Sequence, residues 1–151
     1  MFQLPSSELL RLGFKDNEIQ KIISFGSIVV PLFQEFVPHR LFRVIDLCSG
    51  NGLCGFSFQF NNLSEDTLMI DINKPKRFKR TERLFEKYSF GYDYHEEDIN
   101  SEDFNLEKFG GVEKSVIVSV HPCAELGDRI IELGLTHGIP FALMTCCHRI
   151  R

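Results

Sequence analysis

Hydrophobic residues fall into five short runs that alternate with polar stretches of helical spacing from Phe42 onward. The runs lie near residues 43 to 48, 67 to 71, 91 to 95, 115 to 120 and 140 to 146. Apolar runs of this length, separated by segments long enough for helices, predict strands joined by helical crossovers and therefore a parallel α/β sheet. The fourth and fifth runs are almost wholly apolar, which is typical of strands covered on both faces.

The first 40 residues have a helical pattern. Residues 6 to 12 predict a short helix, and Asp16 or Asn17 is a candidate cap for a longer one. We expect Pro31 to kink or end that second helix. Core packing on the sheet is the simplest interpretation of this segment, and coverage of a ligand crevice is the alternative; we assign it no chemistry. Its apolar positions recur at helical spacing and include Ile19, Ile22, Ile23 and Val29.

A length of 151 residues with 43% hydrophobic content predicts one domain, with a helical segment at 1–40 and an α/β core at 41–151. The formal net charge of −4 argues against a protein that coats nucleic acid, although it allows a local basic patch. Five cysteines, an odd number, and a start without signal-peptide character indicate reduced thiols and a cytoplasmic protein. No apolar run reaches the roughly 20 residues of a membrane span, so we expect no membrane partner.

The first predicted strand runs into a glycine-rich loop. Gly50, Gly52 and Gly55 fit the G-x-G-x-x-G spacing, in which the first glycine permits a tight turn, the second lets backbone approach a ligand, and the third brings helix against strand. Asp46 would repel a pyrophosphate there but attract the ammonium and sulfonium of S-adenosylmethionine, by about 4 kcal/mol at about 4 Å in an intermediate dielectric. The helix that begins near Leu53 could receive the methionine carboxylate. The alternative is a plain strand–turn–helix corner in which Asp46 only caps the strand end.

Polar or sulfur-containing side chains follow every predicted strand. Because the carboxyl ends of parallel strands meet at one crevice where the strand order reverses, we expect these side chains to surround it. Asp71 lies 21 positions beyond Gly50, where a ribose-binding carboxylate is expected. The residues behind strands two to five are Asp71, Ile72 and Asn73; Asp98 and Ile99; His121 and Cys123; and Cys146, Cys147 and His148.

These motifs resemble those of class I S-adenosylmethionine-dependent methyltransferases over roughly residues 42 to 148. Asp-Leu-Cys-Ser-Gly-Asn-Gly resembles their first motif, Met-Ile-Asp-Ile-Asn the second and Glu-Asp-Ile the third. His-Pro-Cys-Ala after strand four and Cys-Cys-His after strand five are similar to the branch that contains tRNA acceptor-stem 2′-O-methyltransferases and related methyltransferase-like proteins. The resemblance implies a doubly wound, Rossmann-like sheet of order 3-2-1-4-5, in-line attack on the sulfonium methyl group, and RNA as the leading acceptor.

The resemblance also implies roles for single residues. Gly50 and Gly52 would border the methionine moiety and Asp46 its amino group, Asp71 would bind the ribose, and Asp98 with Ile99 would contact the adenine. His121, Cys123 and His148 are the candidate catalytic residues on the acceptor side, and whether His121 acts as a base or orients the acceptor is open. The full set implied to bind the cofactor is Asp46, Cys48, Ser49, Gly50, Asn51, Gly52, Asp71, Ile72, Asn73, Asp98, Ile99 and His121.

One departure from the resemblance concerns the end of the sheet. The full methyltransferase fold has a terminal hairpin after strand five, whereas this chain reaches Arg151 directly after that strand. We therefore expect a second copy of the chain or another polypeptide to cover the open apolar edge. Two other functions stay open, namely a catalytically silent S-adenosylmethionine-binding subunit of a complete methyltransferase and an NAD-dependent oxidoreductase with the same glycine spacing.

Two groups of residues each have a functional interpretation and a purely structural one. His121, Cys123 and the Cys146–His148 segment contain zinc-binding groups, but adjacent cysteines on a strand point to opposite faces, so we predict no metal site and favour burial of the cysteines as small apolar residues. Residues 73–80, Asn-Lys-Pro-Lys-Arg-Phe-Lys-Arg, with Arg83 beyond them, form a basic run. That run contacts an RNA backbone or is a solvated helix face paired with Glu82 and Glu86.

Overall fold

The computed structural model describes residues 1–37, 41–88, 90–123 and 125–145. Its helices are α1 (Ser6–Arg11), α2 (Asp16–Phe36), α3 (Leu53–Phe60), α4 (Phe78–Glu86) and α5 (Glu125–His137), with a short 3-10 helix at Leu106–Phe109. Its strands are β1 (Arg43–Leu47), β2 (Asp66–Asp71), β3 (Gly91–Glu96), β4 (Ser115–Val120) and β5 (Phe141–Met144). Each of the five predicted strands is therefore present.

The strands form one parallel sheet of order β3-β2-β1-β4-β5, which confirms the predicted fold class. In the centre of the sheet, Asp46 of β1 lies opposite Met69 of β2 and Val118 of β4. The chain moves outward from β1 to β3 and then returns to the other side of β1 with β4. The carboxyl ends of β1 and β4 consequently flank the point of reversal, where parallel α/β sheets form their ligand crevices.

Alternate residues of each central strand pack against opposite helical layers. Val44 faces a cluster formed with α2, α3 and α4, whereas Ile45 faces a second cluster on the side of α5. Asp46 shares the face of Val44 because side chains alternate along a strand. The phenylalanines of α3 belong to the first cluster: the ring of Phe56 stacks on that of Phe85 with centroids 5.1 Å apart, and Phe58 is fully buried.

The N-terminal segment differs from its prediction at both ends of α2. The helix begins at Asp16, so neither Asp16 nor Asn17 is its cap; Lys15 precedes it and donates its backbone N–H to the side chain of Glu18 at 2.9 Å. Of the two outcomes expected at Pro31, an end of the helix is wrong, because α2 continues to Phe36, and a kink stays a prediction. Buried side chains on both sides of Pro31, such as Val29 and Phe33, hold this helix on the core, and that packing outweighs the missing backbone hydrogen bond.

The edge of the sheet at β5 is less covered than the apolar sequence predicted. Every residue of β4 except the last is buried, but all four residues of β5 are only partly buried. Beside β5 an apolar groove of about 330 Å³ runs between α2 and α5. Leu32, Phe36 and Leu135 line it and are 50%, 70% and 71% exposed. Within the described ranges, no helix is both long enough and apolar enough to cross a membrane.

Candidate active site

The glycine loop after β1 has a strongly turned backbone. Cys48, Gly50 and Gly52 all have positive φ, at 57°, 53° and 74°. A Cβ on Gly50 would meet nothing within 4 Å, so this residue faces open space. A Cβ on Gly52 would lie 2.7 Å from the ring of Phe78, which shows that the protein core requires this glycine, whereas we expected a ligand to require it.

The third glycine of the motif brings α3 against the sheet. A Cβ on Gly55 would lie 2.8 Å from both Met69 and Thr67 of β2, so only glycine allows this close helix–strand approach. The backbone N–H of Gly55 then points at β1 and donates to Asp46 Oδ2 at 2.8 Å. Asn51 stabilises the turn that leads into the same helix, since its Oδ1 accepts from the N–H of Leu53 at 3.0 Å.

Asp46 is a fully buried carboxylate with one satisfied oxygen. Oδ2 accepts the hydrogen bond from Gly55, whereas Oδ1 has no partner in the described part of the chain. Burial raises the pKa of Asp46 to about 7; the hydrogen bond from Gly55 opposes the increase, and the negative charge of Asp71 adds to it. A buried carboxylate oxygen without a donor is costly, typically by about 1–3 kcal/mol or more. Asp46 therefore holds the first turn of α3 against β1 through one oxygen, which differs from the strand-end cap considered as the alternative, and its second oxygen remains available.

Asp71 at the end of β2 braces the loop from the other side. Its Oδ2 accepts from the backbone N–H of Gly50 at 2.8 Å, while Oδ1 receives only a long 3.5 Å contact from the N–H of Asn73. Tyr94 of β3 donates its hydroxyl to the Gly50 carbonyl at 3.2 Å, and burial raises the pKa of this tyrosine to about 12. The ends of β2 and β3 therefore fix the position of Gly50.

A cavity of about 220 Å³ opens between this loop, α2 and the end of β4. It contains the buried carboxylate of Asp46 and the exposed imidazole of His121. Glu18 and Ile22 of α2 form its remaining wall. The lining residues are Glu18, Ile22, Asp46, Cys48, Ser49, Gly50, Asn51, Leu53, Cys54, Val120 and His121.

His121 stands at a sharp turn directly after β4. Its φ is 74°, and its backbone N–H donates to the carbonyl of Met144 at 2.7 Å, which ties the turn to the end of β5. Partial burial lowers the pKa of His121, the positive charge of Lys21 lowers it further, and Glu18 opposes the change. The ring is therefore largely neutral near pH 7 and has a nitrogen that can accept a hydrogen bond or a proton.

Arginines of the basic run hold the N-terminal helices beside the cavity. Arg77 lies 3.4 Å from both carboxylate oxygens of Glu18 and donates to the carbonyl of Gly13 at 3.2 Å. Arg80 donates to the carbonyl of Leu12 at 3.2 Å. These contacts connect the loop between α1 and α2 to the start of α4, and they place Glu18 in the cavity wall.

A model of a family described as a methyltransferase domain matches residues 15–150 of the sequence. The chain belongs to this methyltransferase domain family. The five-stranded sheet, the glycine loop and the strand-end carboxylates described above all lie within the matched residues. A comparison with curated proteins finds no match.

Two solved structures share the fold of this methyltransferase domain. An rRNA methylase from Streptococcus thermophilus has a TM-score of 0.55 and 14% identity, over 76% of this chain and 68% of its own. A candidate methyltransferase from Bacillus halodurans has a TM-score of 0.54 and 12% identity, over 83% of this chain and 54% of its own. At such identities the likeness concerns the fold alone, and the methyltransferase domain spans only about half of the second protein.

The structure brings some of the predicted site residues together and leaves others apart. Asp46, Cys48, Ser49, Gly50, Asn51 and His121 line the cavity. Ile99 is 3% exposed and packs in the core on the α5 side, so its side chain does not reach the cavity. Asp98 is exposed, and its Oδ1 accepts from the N–H of Asn100 at 2.9 Å. The other predicted residues outside the lining are Gly52, Asp71, Ile72, Asn73 and Cys123.

The predicted cysteine and histidine cluster lies partly outside the described residues, namely at Cys146, Cys147 and His148. Of the described cysteines, Cys54 is buried, Cys48 is partly buried and Cys123 is exposed. Burial raises the pKa of Cys48 to about 12 and that of Cys54 well above its usual range, so neither is a reactive thiolate near neutral pH. Over the part of the chain that the structure covers, no group of three or more potential metal ligands converges.

Five residues of the cavity wall were not among the predicted site residues, namely Glu18, Ile22, Leu53, Cys54 and Val120, and the first two come from α2. Ile22 was recognised only as an apolar position of α2, and Glu18 was not considered. Their helical spacing gave the correct buried face of α2 but did not show against which part of the sheet that face would pack. The signal that could have identified Glu18 is its position in the first turn of α2, where a carboxylate is favoured.

Proposed function

We propose that this methyltransferase domain binds S-adenosylmethionine in the cavity beside the glycine loop and transfers its methyl group to an acceptor that approaches from the side of His121. The observation that carries the proposal is Asp46 Oδ1, a buried carboxylate oxygen in the cavity wall that has no partner among the described residues. A cationic ligand group would satisfy this oxygen, whereas a pyrophosphate would be repelled by it. When bound, S-adenosylmethionine supplies a methyl group activated by the positive sulfonium.

The remaining residues fit the same cofactor. The absence of any atom near a Gly50 Cβ leaves room for the methionine moiety against the backbone. Asp71 Oδ1, which has only a long contact, is available for a ribose hydroxyl, while Oδ2 keeps the loop in place. In this proposal Asp98 contributes through its exposed carboxylate, and Ile99 only through its backbone.

His121 is the proposed residue on the acceptor side. Its imidazole is exposed at the cavity and its lowered pKa favours the neutral ring. A neutral ring nitrogen can orient an acceptor hydroxyl or amine and take up its proton. Cys123 lies two residues further along the same turn, and His148 remains a predicted contributor outside the described residues.

RNA is the proposed acceptor. The support is local: exposed lysines and arginines follow directly after Asp71–Asn73, on the side of the sheet that holds the cavity. Such a patch on a chain of net charge −4 points to a polyanionic ligand at this place only.

The experiment that tests the proposal is transfer of a tritiated methyl group from S-adenosylmethionine to total cellular RNA, protein and metabolite pools. We expect label in RNA, and a reduction of about tenfold or more in His121→Ala, with Asp93→Asn at an exposed position of β3 as the matched control. Label confined to protein or metabolites would refute the RNA acceptor. Cofactor binding without transfer to any pool would favour the silent subunit, and binding of NADH would favour the oxidoreductase.

A further inference from the structure

The basic run between Asn73 and Arg83 divides into two sets of residues with different environments. The cations of the first set make contacts within the protein. The Nζ of Lys74 lies 4.3 Å from the centre of the Phe78 ring and 3.9 Å from a carboxylate oxygen of Glu82. Arg77 pairs with Glu18, and Arg80 donates to the carbonyl of Leu12. These three cations hold the domain together and are poorly placed to bind anything else.

The second set consists of Lys76, Lys79 and Arg83, here called the basic stripe. All three are exposed, and no carboxylate in the described residues lies within 4.0 Å of their charged nitrogens. Lys79 and Arg83 are four residues apart on α4, and Lys76 precedes Lys79 by three in the turn that leads into the helix. Lys79 and Arg83 therefore lie on one side of α4, and Lys76 stands in the turn directly before it.

The structure shows no contribution of the basic stripe to folding stability. Like charges four residues apart on a helix are slightly destabilising. Glu82 of the same helix does not compensate them, because it accepts a hydrogen bond from the hydroxyl of Tyr92 and lies near Lys74. Glu86, the other carboxylate of α4, forms no ion pair with Arg83 in the described region. An uncompensated group of cations on an acidic protein is typical of a surface that binds an anion.

The orientation of the stripe is fixed by the opposite side of α4. Phe78 and Phe85 are fully buried in the core, which forces the stripe toward solvent. The stripe also begins close to the cavity, since Arg77 in its midst pairs with Glu18 of the cavity wall. One turn further along α2, exposed Lys21 is close enough to act electrostatically on His121. The stripe on α4 and Lys21 on α2 therefore lie on either side of the Glu18–Arg77 ion pair at the cavity wall.

We propose that the basic stripe binds the sugar–phosphate backbone of an RNA acceptor, next to the nucleotide that receives the methyl group. This inference rests on the proposed function for the identity of the cavity, but it concerns a separate surface. Lysine and arginine side chains one turn apart on a helix have Cβ atoms about 5–6 Å from each other. Such cations can contact the regularly spaced phosphates of an RNA strand. Contacts of this kind bind without regard to sequence and weaken steeply with salt.

The test is fluorescence anisotropy of a labelled RNA hairpin with the full chain at several salt concentrations. Lys79→Glu, and Lys76→Glu with Arg83→Glu, should each reduce RNA affinity by about tenfold or more and lower the slope of log affinity against log salt by about 0.7–0.9 per lost contact. Lys114→Glu is the matched control for Lys79→Glu, because Lys114 is exposed at the opposite end of the sheet, before β4, and its reversal changes the net charge as much as that of Lys79 does. Its RNA affinity should stay within about twofold of the original.

The outcomes separate this inference from the proposed function. The stripe proposal would be overturned if the original protein bound no RNA, or if Lys114→Glu lost as much RNA affinity as the stripe variants. It would also be overturned if the stripe variants lost binding to poly-glutamate but kept their RNA binding, since the partner would then be an acidic protein. S-adenosylhomocysteine affinity, measured on the same samples, should be unchanged in all stripe variants; its absence in the original protein would overturn the cofactor proposal alone. Lys79→Gln, with its fold checked by circular dichroism, provides the same comparison if a reversed charge disturbs α4.

Discussion

Asp71 at the end of β2 accepts a hydrogen bond from the backbone N–H of Gly50 at 2.8 Å, across 21 positions of sequence. The residue expected to bind a ribose is therefore also the residue that holds the glycine loop in shape. One oxygen has the structural role and the other has only a 3.5 Å contact, from the N–H of Asn73. The two roles can be separated by substitution, because asparagine keeps an acceptor and loses the charge.

Asp71→Ala and Asp71→Asn are predicted to differ in stability but not in their effect on the cofactor site. Alanine leaves the Gly50 N–H without its partner and should lower the free energy of unfolding by about 1 kcal/mol, whereas asparagine should keep most of it. Both should weaken S-adenosylhomocysteine binding by about tenfold, since charged acceptors make the stronger hydrogen bonds. Denaturant unfolding and calorimetry measure the two effects. Equal destabilisation by both variants would show that the charge, and not the acceptor, braces the loop.

Stability is predicted to depend on pH through Asp46. Its pKa is raised from 3.8 to about 7, so the folded protein binds a proton that the unfolded chain releases between these values. The contribution of this group to stability is present below about pH 4 and is lost as the pH rises through about 7, at up to about 1.4 kcal/mol per pH unit. Asp46→Asn, which resembles the protonated form, should match the original protein at low pH and exceed its stability near pH 8. Parallel curves for the two proteins would contradict this assignment.

Gly50 and Gly52 are predicted to tolerate alanine differently. Both have positive φ, which costs a non-glycine residue about 1–2 kcal/mol. Only Gly52→Ala would also force a Cβ to within 2.7 Å of Phe78 in the core, so it should destabilise the domain by about 1–3 kcal/mol more. Gly50→Ala should instead reduce S-adenosylhomocysteine binding, because its Cβ would enter the open space of the cavity side. Unfolding curves and calorimetry of the two variants separate these effects; a larger loss of stability in Gly50→Ala would be the opposite result.

The expectation that another polypeptide covers β5 stays a prediction, and its simplest form is a second copy of the chain. Light scattering of the purified protein should then give a mass above the 17.4 kDa of one chain. Leu135→Glu, in the apolar groove and 71% exposed, should restore the single-chain mass. Ile28→Glu is the control, since Ile28 is 66% exposed on α2 but does not line the groove. A single-chain mass of the original protein at every concentration would exclude self-association.

The sheet could be predicted from the sequence because its signals are local. Each apolar run is short, each is bounded by polar segments, and parallel strands with right-handed crossovers allow few arrangements. The errors arose where tertiary packing, and not the local sequence, determines the structure. Pro31 is an ordinary helix breaker by local rules, but the buried side chains around it keep α2 intact. The runs of β4 and β5 look alike in sequence, yet only β4 lies inside the sheet.

The site could be predicted only in outline. Sequence spacing located the strand ends, and several predicted residues do meet at the cavity, among them Asp46, Gly50 and His121. It did not show that Ile99 faces the core, or that Glu18 would come from a helix far earlier in the chain. The division of the basic run was equally hidden, because Arg77 finds its partner Glu18 59 positions away. Such pairings depend on tertiary structure and leave no mark on local pattern.

The central claim is that the orphaned oxygen of Asp46 binds the cationic end of S-adenosylmethionine. The most direct measurement is calorimetric titration of the original protein and Asp46→Asn with S-adenosylhomocysteine, whose ammonium group is the one at issue, and with NADH. We predict that S-adenosylhomocysteine binds to the original protein, that Asp46→Asn binds it about 10- to 100-fold more weakly while remaining folded, and that NADH binds to neither. Equal affinity of the two proteins for S-adenosylhomocysteine, or binding of NADH in its place, would contradict the claim.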